Sequence, residues 1–354
     1  MQCYNPFLAL FDLLTSQNLD AIVVSTLINV RYYSGFTGSN GLILVTKKGS
    51  CLLTDPRYTT QAVQEANCPV EIVSGALLKA LGKKLKSSKA KRIGFEDQRI
   101  SFALFKGLSD FGECVGLGNL VEKPRWTKTS EEITAIRASV KLNSEALDRA
   151  MKRFKVGITE MDLAAEIDYQ MRKLGAEGTA FDTIVASGPH SALPHAHPRN
   201  RNIEAGGYLL IDMGSCVAGY MSDMTRTYGV GSVPRKAVRI YKAVLEAQLA
   251  AIDAVRPGKR ADQIHDAAMR ALKGHGLDKY FIHSTGHGLG LEIHEAPRLG
   301  KKDATRLETG MVITIEPGVY EAGFGGVRIE DTVLVTEKGV EVLTQTPKGW
   351  TIVG

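Results

Sequence analysis

The sequence has few cysteines, no CxxC pair and no long apolar run, and each of these absences excludes a class of protein. Its five cysteines are scattered singly among 354 residues, at Cys3, Cys51, Cys68, Cys114 and Cys216. This pattern excludes a disulfide scaffold and predicts reduced thiols that pack as small core residues in a cytoplasmic protein. No segment reaches the ~18 uninterrupted apolar residues of a membrane span. The amino-terminal residues also lack the basic region of a signal peptide.

The charge balance is ordinary, and the positive excess is local. The chain has 44 basic and 38 acidic residues, for a formal net charge of +6, and 44% of its residues are hydrophobic. These values are typical of soluble globular domains. Residues 79–92 are rich in lysine and contain no acidic residue. Because no aromatic residue is interleaved, we interpret this segment as a solvated helix face and loop, and we expect no nucleic-acid partner.

Two domains are predicted, at 1–125 and 126–354. The first alternates a helix at 7–14 with strands at 21–24, 41–45, 51–54 and 92–95, which indicates an α/β domain. A break is expected at 123–126. The second domain is predicted to be α+β: its helices begin at capping residues 129–132 and 159–162, and further helices span 235–255 and 261–273. Its predicted strands lie at 208–213, 220–228, 311–316 and 327–336.

Histidine is confined to the second half of the chain. All eight histidines lie between His190 and His294, and six of them form the groups 190/195/197 and 283/287/294. Histidine is the most common catalytic base and metal ligand near neutral pH. The chemistry is therefore expected in the second domain.

Acidic residues end or interrupt apolar runs at three places. Asp212 and Glu316 end predicted strands, and Glu330 lies inside a third strand, on the same face as Arg328. A buried carboxylate must be paired, protonated or bound to a metal. Each acid alone is best explained as a strand-end cap or half of an ion pair. Together with Asp223 and His287 they suit a two-metal site for manganese, cobalt, iron or zinc.

The surrounding segments resemble a known family. Residues 192–195 (ALPH), 219–227 (GYMSDMTRT), 285–295 (TGHGLGLEIHE), 315–318 (IEPG) and 325–331 (GGVRIED) resemble, in order, blocks of the metallopeptidase family that contains methionine aminopeptidase, prolidase and aminopeptidase P. Residues 36–41 and 54–62 resemble the amino-terminal domain of bacterial aminopeptidase P and Xaa-Pro dipeptidase. The resemblance implies a creatinase-like first domain, a catalytic domain of the pita-bread fold, and a homodimer.

The resemblance also implies roles for individual residues. The implied ligands of two divalent ions, most plausibly manganese, are Asp212, Asp223, His287, Glu316 and Glu330. A bridging hydroxide would attack the scissile carbonyl, and Glu316 would also carry a proton to the leaving nitrogen. His195 and His294 would contact substrate, His283 would belong to a proline pocket, and Arg328 would support a ligand carboxylate. His197 is interpreted as a loop residue, and His190, His265 and His275 match no block and are expected at the surface or in loops.

The predicted activity is release of the first residue from Xaa-Pro-Yaa peptides, as in aminopeptidase P. The segment 54–62 favours this activity, and no arginine is identified in the sequence that would bind the terminal carboxylate of a dipeptide. Prolidase is the close alternative. A metal-free hydrolase of the creatinase kind and a non-catalytic binding module are less favoured, since all five ligand positions carry ligating side chains.

Overall fold

A computed structural model describes residues 5–354, which form two compact units, 5–125 and 126–354. The predicted packing of Cys3 lies outside the described residues. The other four cysteines form no disulfide with one another and are half-buried. Cys51, Cys68 and Cys114 pack against hydrophobic clusters but are only partly buried. They are therefore less buried than the prediction of core cysteines implies. No helix of the described residues is both long and apolar enough to cross a membrane.

The first unit is a mixed sheet with helices on it, as the α/β prediction requires. Its elements are α1 (Phe7–Ser16), β1 (Ala21–Val24), α2 (Leu27–Ser34), β2 (Gly41–Thr46), β3 (Gly49–Thr54), α3 (Thr59–Glu65), β4 (Val70–Ile72), α4 (Leu77–Ser88), β5 (Arg92–Phe95), α5 (Phe102–Ser109) and β6 (Glu113–Gly116). The strand order is β4-β3-β2-β1-β5-β6. Along the basic segment, Leu81 and Leu85 are buried while Lys83 and Lys86 are exposed, which confirms the solvated helix face.

Residues 123–126, where a break between the domains is expected, contain the point at which the chain passes from the first unit to the second. They form the one-turn helix α6 (Lys123–Trp126). Lys123 donates its backbone N–H to the carbonyl of Asn119, and Arg125 donates to the carbonyl of Glu122, so helical turns run into this segment. Pro124 is compatible with the helix because proline is tolerated in a first turn, where its missing N–H has no intrahelical partner.

The second unit continues with long helices and several small sheets. Its elements are α7 (Ser130–Met151), α8 (Glu160–Lys173), β7 (Gly178–Thr179), β8 (Ile184–Ser187), β9 (Tyr208–Met213), β10 (Ser215–Val217), β11 (Tyr220–Met221), β12 (Met224–Val230), α9 (Arg235–Ala254), α10 (Ala261–Gly274), β13 (His287–Gly288), β14 (Glu295–Arg298), β15 (Val312–Ile315), β16 (Gly318–Glu321), β17 (Gly325–Arg328), β18 (Asp331–Thr336), β19 (Gly339–Val342) and β20 (Ile352–Val353). The sheets are β20-β12-β9-β8, β14-β13-β15-β18-β19, β11-β10-β7 and β16-β17. This confirms the α+β class.

Local sequence signals explain where the first two long helices begin. Thr129 caps α7 and Thr159 caps α8. Each threonine side chain accepts a hydrogen bond from the backbone N–H three residues later. In turn, the carboxylates of Glu132 and Asp162 accept from the backbone N–H groups of Thr129 and Thr159. Both predicted capping boxes are confirmed.

The helix pairs cover the two larger sheets. Buried residues of α7 and α8, such as Leu147 and Ile167, cluster with Ile211 of β9. Buried residues of α9 and α10 cluster with Ile313 of β15 and Val333 of β18. The apolar strands are thereby removed from water, which is the main favourable contribution to folding.

Two predicted strands are each interrupted at an acidic residue. The run 220–228 breaks at Asp223, and the run 327–336 breaks at Glu330. The reason is that each run contributes strands to two different sheets. In the first run, β11 pairs with β10, whereas β12 pairs with β9. In the second run, β17 pairs with β16, whereas β18 pairs with β15. At both interruptions the chain passes from one sheet to another, and the side chain at that point is free to face the junction between sheets.

Candidate active site

The strand ends and interruptions bring the predicted acidic residues to one place. β9 and β12 are antiparallel with Asp212 opposite Thr225, so Asp212 lies near the interruption that carries Asp223. The backbone N–H of Glu330 donates to the carbonyl of Thr225 (3.1 Å), which joins the second interruption to the first. Asp223, His287 and Glu330 each offer a possible ligand atom, and these atoms lie within 4.8 Å of one another.

His287 directs its Nε2 atom at the acidic residues. Its Nδ1 lies 3.0 Å from the backbone carbonyl oxygen of Gly288, which can only accept, so Nδ1 carries the proton of the neutral ring. Nε2 lies 3.5 Å from Asp223 Oδ2 and 3.4 Å from Glu316 Oε1. Burial, with the neighbouring His294 adding to it, lowers the pKa of His287 to about 4. Nε2 therefore presents a lone pair near neutral pH.

The acidic side chains oppose one another's ionisation. Burial raises the pKa of Asp223 and of Glu330 well above their ordinary values, and the neighbouring carboxylates raise them further. Burial also raises the pKa of Glu316 to about 7, although the positive charge of Arg328 opposes this. A multivalent cation reverses the balance, because it attracts every carboxylate at once.

Two buried carboxylate oxygens of this cluster, Asp212 Oδ1 and Glu330 Oε1, have no hydrogen-bond partner among the described residues. The second oxygen of each group is held: Asp212 Oδ2 accepts from Arg328 (2.5 Å) and Glu330 Oε2 accepts from the Thr225 hydroxyl (2.7 Å). Buried polar atoms are rarely left without a partner. Hard anionic oxygens beside one imidazole are a ligand set of divalent ions, so the residues present fit such ions.

Arg328 is buried and connects four parts of the site. Its Nη2 donates to Asp212, its Nε donates to the Thr225 hydroxyl (3.0 Å), and its Nη1 donates to the Tyr320 hydroxyl (2.7 Å) and the Pro194 carbonyl (3.2 Å). The sequence pointed to a supporting role for Arg328, and the structure places it beside Asp212. Tyr320 and this role of Thr225 were missed, since neither has a charge or a spacing that marks it.

The cluster opens into a cavity of about 770 Å³. Besides the acids and His287, its lining includes Phe181, Asp182, Ile184, Pro194, His195, His197, His283, Ile293, His294 and Arg298. The structure therefore brings together every predicted site residue. His197 lines the same cavity as His195, so location alone does not separate the two. The apolar part of the lining suits an uncharged ring.

His283 forms part of the cavity wall as a neutral ring. Its Nδ1 donates to the carbonyl of Ser284 (2.7 Å), and its Nε2 accepts from the Tyr320 hydroxyl (2.9 Å). Burial, with the charge of Arg328 adding to it, lowers the pKa of His283 to about 4. Both nitrogens are therefore engaged by the protein itself, and a bound molecule would meet mainly the face or edge of the ring.

Arg298 is the functional candidate that sequence reasoning missed. It ends β14, is exposed, and lines the same cavity as the metal-ligand cluster. Its backbone N–H donates to Asp303 (3.0 Å), whereas its guanidinium has no hydrogen bond or ion pair within residues 5–354. Burial, with the neighbouring His195 and the charge of Arg298 adding to it, lowers the pKa of His294. The sequence did contain one signal for Arg298, which is that it lies four residues after His294.

The three remaining histidines differ in burial. His265 was expected at the surface or in a loop, and this is wrong: it faces inward from α10, and its Nδ1 lies 2.9 Å from the Thr285 hydroxyl. An imidazole packs in a core when one nitrogen finds a partner. His190 lies in a short 3-10 turn, but its ring is buried against Glu160. His275 is exposed, as expected.

The fold and the cluster define a hydrolase with a carboxylate–imidazole metal site, and sequence comparison identifies its family. Residues 134–337 match metallopeptidase family M24, and residues 8–127 match the creatinase/prolidase N-terminal domain. The chain belongs to metallopeptidase family M24. The predicted family, and with it a metallopeptidase activity on peptide substrates that uses divalent metal ions, is confirmed at this level.

Similar proteins match along nearly the whole chain. The Xaa-Pro dipeptidase of Pyrococcus furiosus is 38% identical, over 96% of this chain and 97% of that protein. The solved structure of the Xaa-Pro dipeptidase from Bacillus anthracis has a TM-score of 0.96 at 36% identity, covering 98% of this chain and 99% of that one. An X-Pro aminopeptidase from Thermotoga maritima has a TM-score of 0.89 at 35% identity, covering 95% and 98%. The predicted creatinase-like and pita-bread domains are thereby confirmed.

Proposed function

We propose that this protein is an Xaa-Pro dipeptidase. The observation that carries the proposal is the free guanidinium of Arg298, on the wall of the cavity that contains the metal-ligand cluster. A dipeptide carries its carboxylate on the residue after the scissile bond, and a planar guanidinium binds a carboxylate through two parallel hydrogen bonds. Two relatives that match along nearly the whole chain are Xaa-Pro dipeptidases.

The proposal includes two divalent ions, with manganese as the physiological metal. Their ligands are Asp212, Asp223, His287, Glu316 and Glu330. Four hard carboxylates and one imidazole suit manganese, while cobalt, zinc and iron are chemically acceptable. When bound, such ions lower the pKa of coordinated water and polarise the scissile carbonyl. The unpartnered oxygens of Asp212 and Glu330 support this assignment.

The protein's own side chains orient the peptide and move the proton. His195 and His294 line the cavity as donors to the oxygen on which negative charge develops. Glu316 would accept the proton that the attacking water gives up and pass it to the proline nitrogen as the peptide bond breaks. Its carboxylate lines the same cavity as His195 and His294.

The proline ring is proposed to pack between apolar side chains and His283. A peptide bond to proline has a tertiary nitrogen and a ring that fixes the backbone, so a dedicated pocket favours it over other residues. His283 contributes an uncharged ring, since its pKa lies near 4 and both its nitrogens are engaged by the protein. Ile293 adds an apolar surface to the same cavity.

Aminopeptidase P activity, as predicted from the sequence, is the second candidate. The match to the Thermotoga maritima X-Pro aminopeptidase favours it. Both activities need a free amino terminus and a proline pocket, and they differ in the group that the substrate carries after the proline. Arg298 favours the dipeptidase because a longer peptide has no carboxylate at that position.

The test is product analysis by mass spectrometry with manganese present. Ala-Pro, Ala-Pro-Ala and Ala-Ala-Ala are incubated with the purified protein at equal concentrations. Cleavage of Ala-Pro in preference to Ala-Pro-Ala supports the dipeptidase, and the reverse preference supports the aminopeptidase. Preferred cleavage of Ala-Ala-Ala would contradict proline specificity altogether.

A further inference from the structure

Glu160 is fully buried at the start of α8 and is not part of the metal-ligand cluster. Its Oε1 accepts hydrogen bonds from the Ser187 backbone N–H (2.8 Å), the Ser187 hydroxyl (2.8 Å) and Arg199 Nη2 (3.3 Å). Its Oε2 accepts from His190 Nδ1 (3.0 Å) and from the backbone N–H (3.1 Å) and Nε (3.2 Å) of Arg199. Both carboxylate oxygens of Glu160 therefore accept several hydrogen bonds each, and the donors all belong to residues 187–199.

These donors lie at the two ends of the loop 188–198. Ser187 ends β8, His190 lies in the 3-10 turn Gly188–Ala192, and Arg199 follows the loop. The carbonyl of Arg199 also accepts from the backbone N–H of Met161 (3.2 Å) in the first turn of α8. One buried carboxylate thus fixes where the loop leaves the sheet and where it returns.

The middle of this loop carries His195, which has few contacts of its own. The Ser191 hydroxyl donates to the Gly188 carbonyl (2.6 Å) and accepts from the Gly326 N–H (2.8 Å), and the Pro194 carbonyl accepts from Arg328 (3.2 Å). In the part of the chain that the structure describes, the His195 imidazole has no hydrogen bond. Its position is therefore set by the loop backbone.

A simple helix-capping role does not explain Glu160. Thr159 and Asp162 already form the capping box of α8, so the first turn has its side-chain acceptors. Although burial opposes ionisation, hydrogen bonds from Arg199 and Ser187 hold the pKa of Glu160 below its ordinary value. A charged carboxylate removed from water is costly unless donors surround it, and here the loop supplies those donors.

We propose that Glu160 is a positioning residue, which holds the loop 188–198 at both ends and thereby places His195 in the substrate cavity. The catalytic consequence rests on the proposed role of His195. A displacement of about 1 Å in a group that contacts the reacting atoms can lower turnover about 10²-fold. Glu160 therefore supports catalysis without contacting substrate or metal.

The test compares Glu160→Gln with a control on the same helix turn. Glutamine keeps the shape but turns an NH₂ group toward the donors of Ser187 or Arg199. Asp162→Asn weakens the same helix start without contacting the loop, since the hydrogen bonds of the Asp162 carboxylate within residues 5–354 come from Thr159 alone. Arg199→Gln is the milder variant: its side chain is 41% exposed, and the donors of Ser187 and His190 and the backbone N–H of Arg199 remain on Glu160.

Three measurements are made on each variant: kcat and KM for Ala-Pro, metal content, and hydrogen exchange of residues 188–198. Glu160→Gln is expected to lower kcat about 10²-fold with metal content and KM little changed. Arg199→Gln is expected to lower kcat by less, and Asp162→Asn to leave it unchanged. In the double variant with His195→Ala, the losses should not multiply, because Glu160 acts through His195.

Unchanged kcat in folded Glu160→Gln, or losses that multiply with that of His195→Ala, would overturn the proposal. If Glu160→Gln does not fold, Arg199→Gln decides on the same criteria. If the wild-type protein does not cleave Ala-Pro, the proposed function fails and hydrogen exchange decides on Glu160 alone. Faster exchange of 188–198 in Glu160→Gln and Arg199→Gln, but not in Asp162→Asn, supports the positioning role; equal exchange in all three excludes it.

Discussion

Arg328 and Asp212 form a buried ion pair in which Nη2 lies 2.5 Å from Oδ2. The pair uses only one carboxylate oxygen, so Oδ1 of Asp212 is left with no partner among residues 5–354. The same guanidinium is fixed by Thr225 and Tyr320. Arg328 therefore sets the orientation of a proposed ligand while leaving its second oxygen for the metal.

Arg328→Lys should weaken metal binding even though the charge is kept. A lysine cannot reach Asp212, Thr225 and Tyr320 together, because it lacks the planar fork of donors. Groups that orient metal ligands typically contribute about 10- to 100-fold to metal affinity. Titration of Mn²⁺ into metal-free protein measures the change. The control variant is Arg137→Lys, because Arg137 forms an exposed ion pair with Glu341. This variant should bind Mn²⁺ with the affinity of the wild type. Unchanged Mn²⁺ affinity in Arg328→Lys would contradict the role assigned to Arg328.

His294→Ala and Glu330→Gln should separate substrate contact from metal binding. His294 lines the cavity with its ring centroid 4.4 Å from that of His287. Loss of one donor to a developing oxyanion lowers turnover about 10²–10³-fold, so His294→Ala should keep its metal and lose kcat. Glu330→Gln should lose metal. Elemental analysis and kcat on the same samples check both, and stoichiometric loss of metal from His294→Ala would show that His294 is a ligand.

Arg298→Gln should raise KM for Ala-Pro about 10- to 100-fold, since a hydrogen bond between charged groups contributes about 1.5–3 kcal/mol. The matched substrate is Ala-prolinamide, which lacks the carboxylate and should be hydrolysed equally by both proteins. Because Arg298 is exposed, the melting temperature should not change. An equal loss on both substrates would mean that Arg298 does not bind the carboxylate.

The metal-free protein should lose stability as pH rises from about 7 to 9, a range above that in which the histidines with lowered pKa values, such as His283 and His287, change protonation. The pKa values of Asp223, Glu330 and Glu316 are raised in the folded state, the last to about 7, mainly by burial. The folded protein then binds more protons than the unfolded chain, whose carboxyl pKa values lie near ~4. This stabilising contribution is complete below pH ~4 and is lost as pH rises through the folded values. Melting temperatures of chelated protein across this range check it.

Saturating Mn²⁺ serves as the control for the pH series, because a bound cation stabilises the ionised carboxylates and removes the dependence. A melting temperature of the chelated protein that rises between pH 7 and 9 would contradict the prediction. It would mean that the acidic side chains do not repel one another in the folded protein.

Much of the architecture follows from local signals in the sequence. Thr129 and Thr159 predict helix starts because capping side chains act within one turn. Asp212 and Glu316 are recognisable because a carboxylate at the end of an apolar strand needs a partner. The interruptions at Asp223 and Glu330 were not predictable from periodicity, since the exchange between sheets depends on pairing with distant strands.

Long-range contacts also explain the residues that were missed. Tyr320 and Arg298 gain their roles only when separate strands place them beside Arg328 and in the cavity. His265 looked like a surface residue because its hydrogen-bond partner, Thr285, is distant in sequence. The individual roles of the site residues, the domain boundary at 125/126, the homodimer and the cytoplasmic location stay predictions.

The central claim, that this cluster binds divalent ions which are required for cleavage of Xaa-Pro dipeptides, is tested most directly by counting metal against activity. Chelated protein is titrated with Mn²⁺, and bound metal and Ala-Pro hydrolysis are measured on each sample, with Glu330→Gln treated in parallel. The account predicts no activity without metal, activity that rises with bound metal and saturates at about two ions per chain, and an inactive Glu330→Gln. Full hydrolysis of Ala-Pro by wild-type protein that contains no metal by elemental analysis would contradict it.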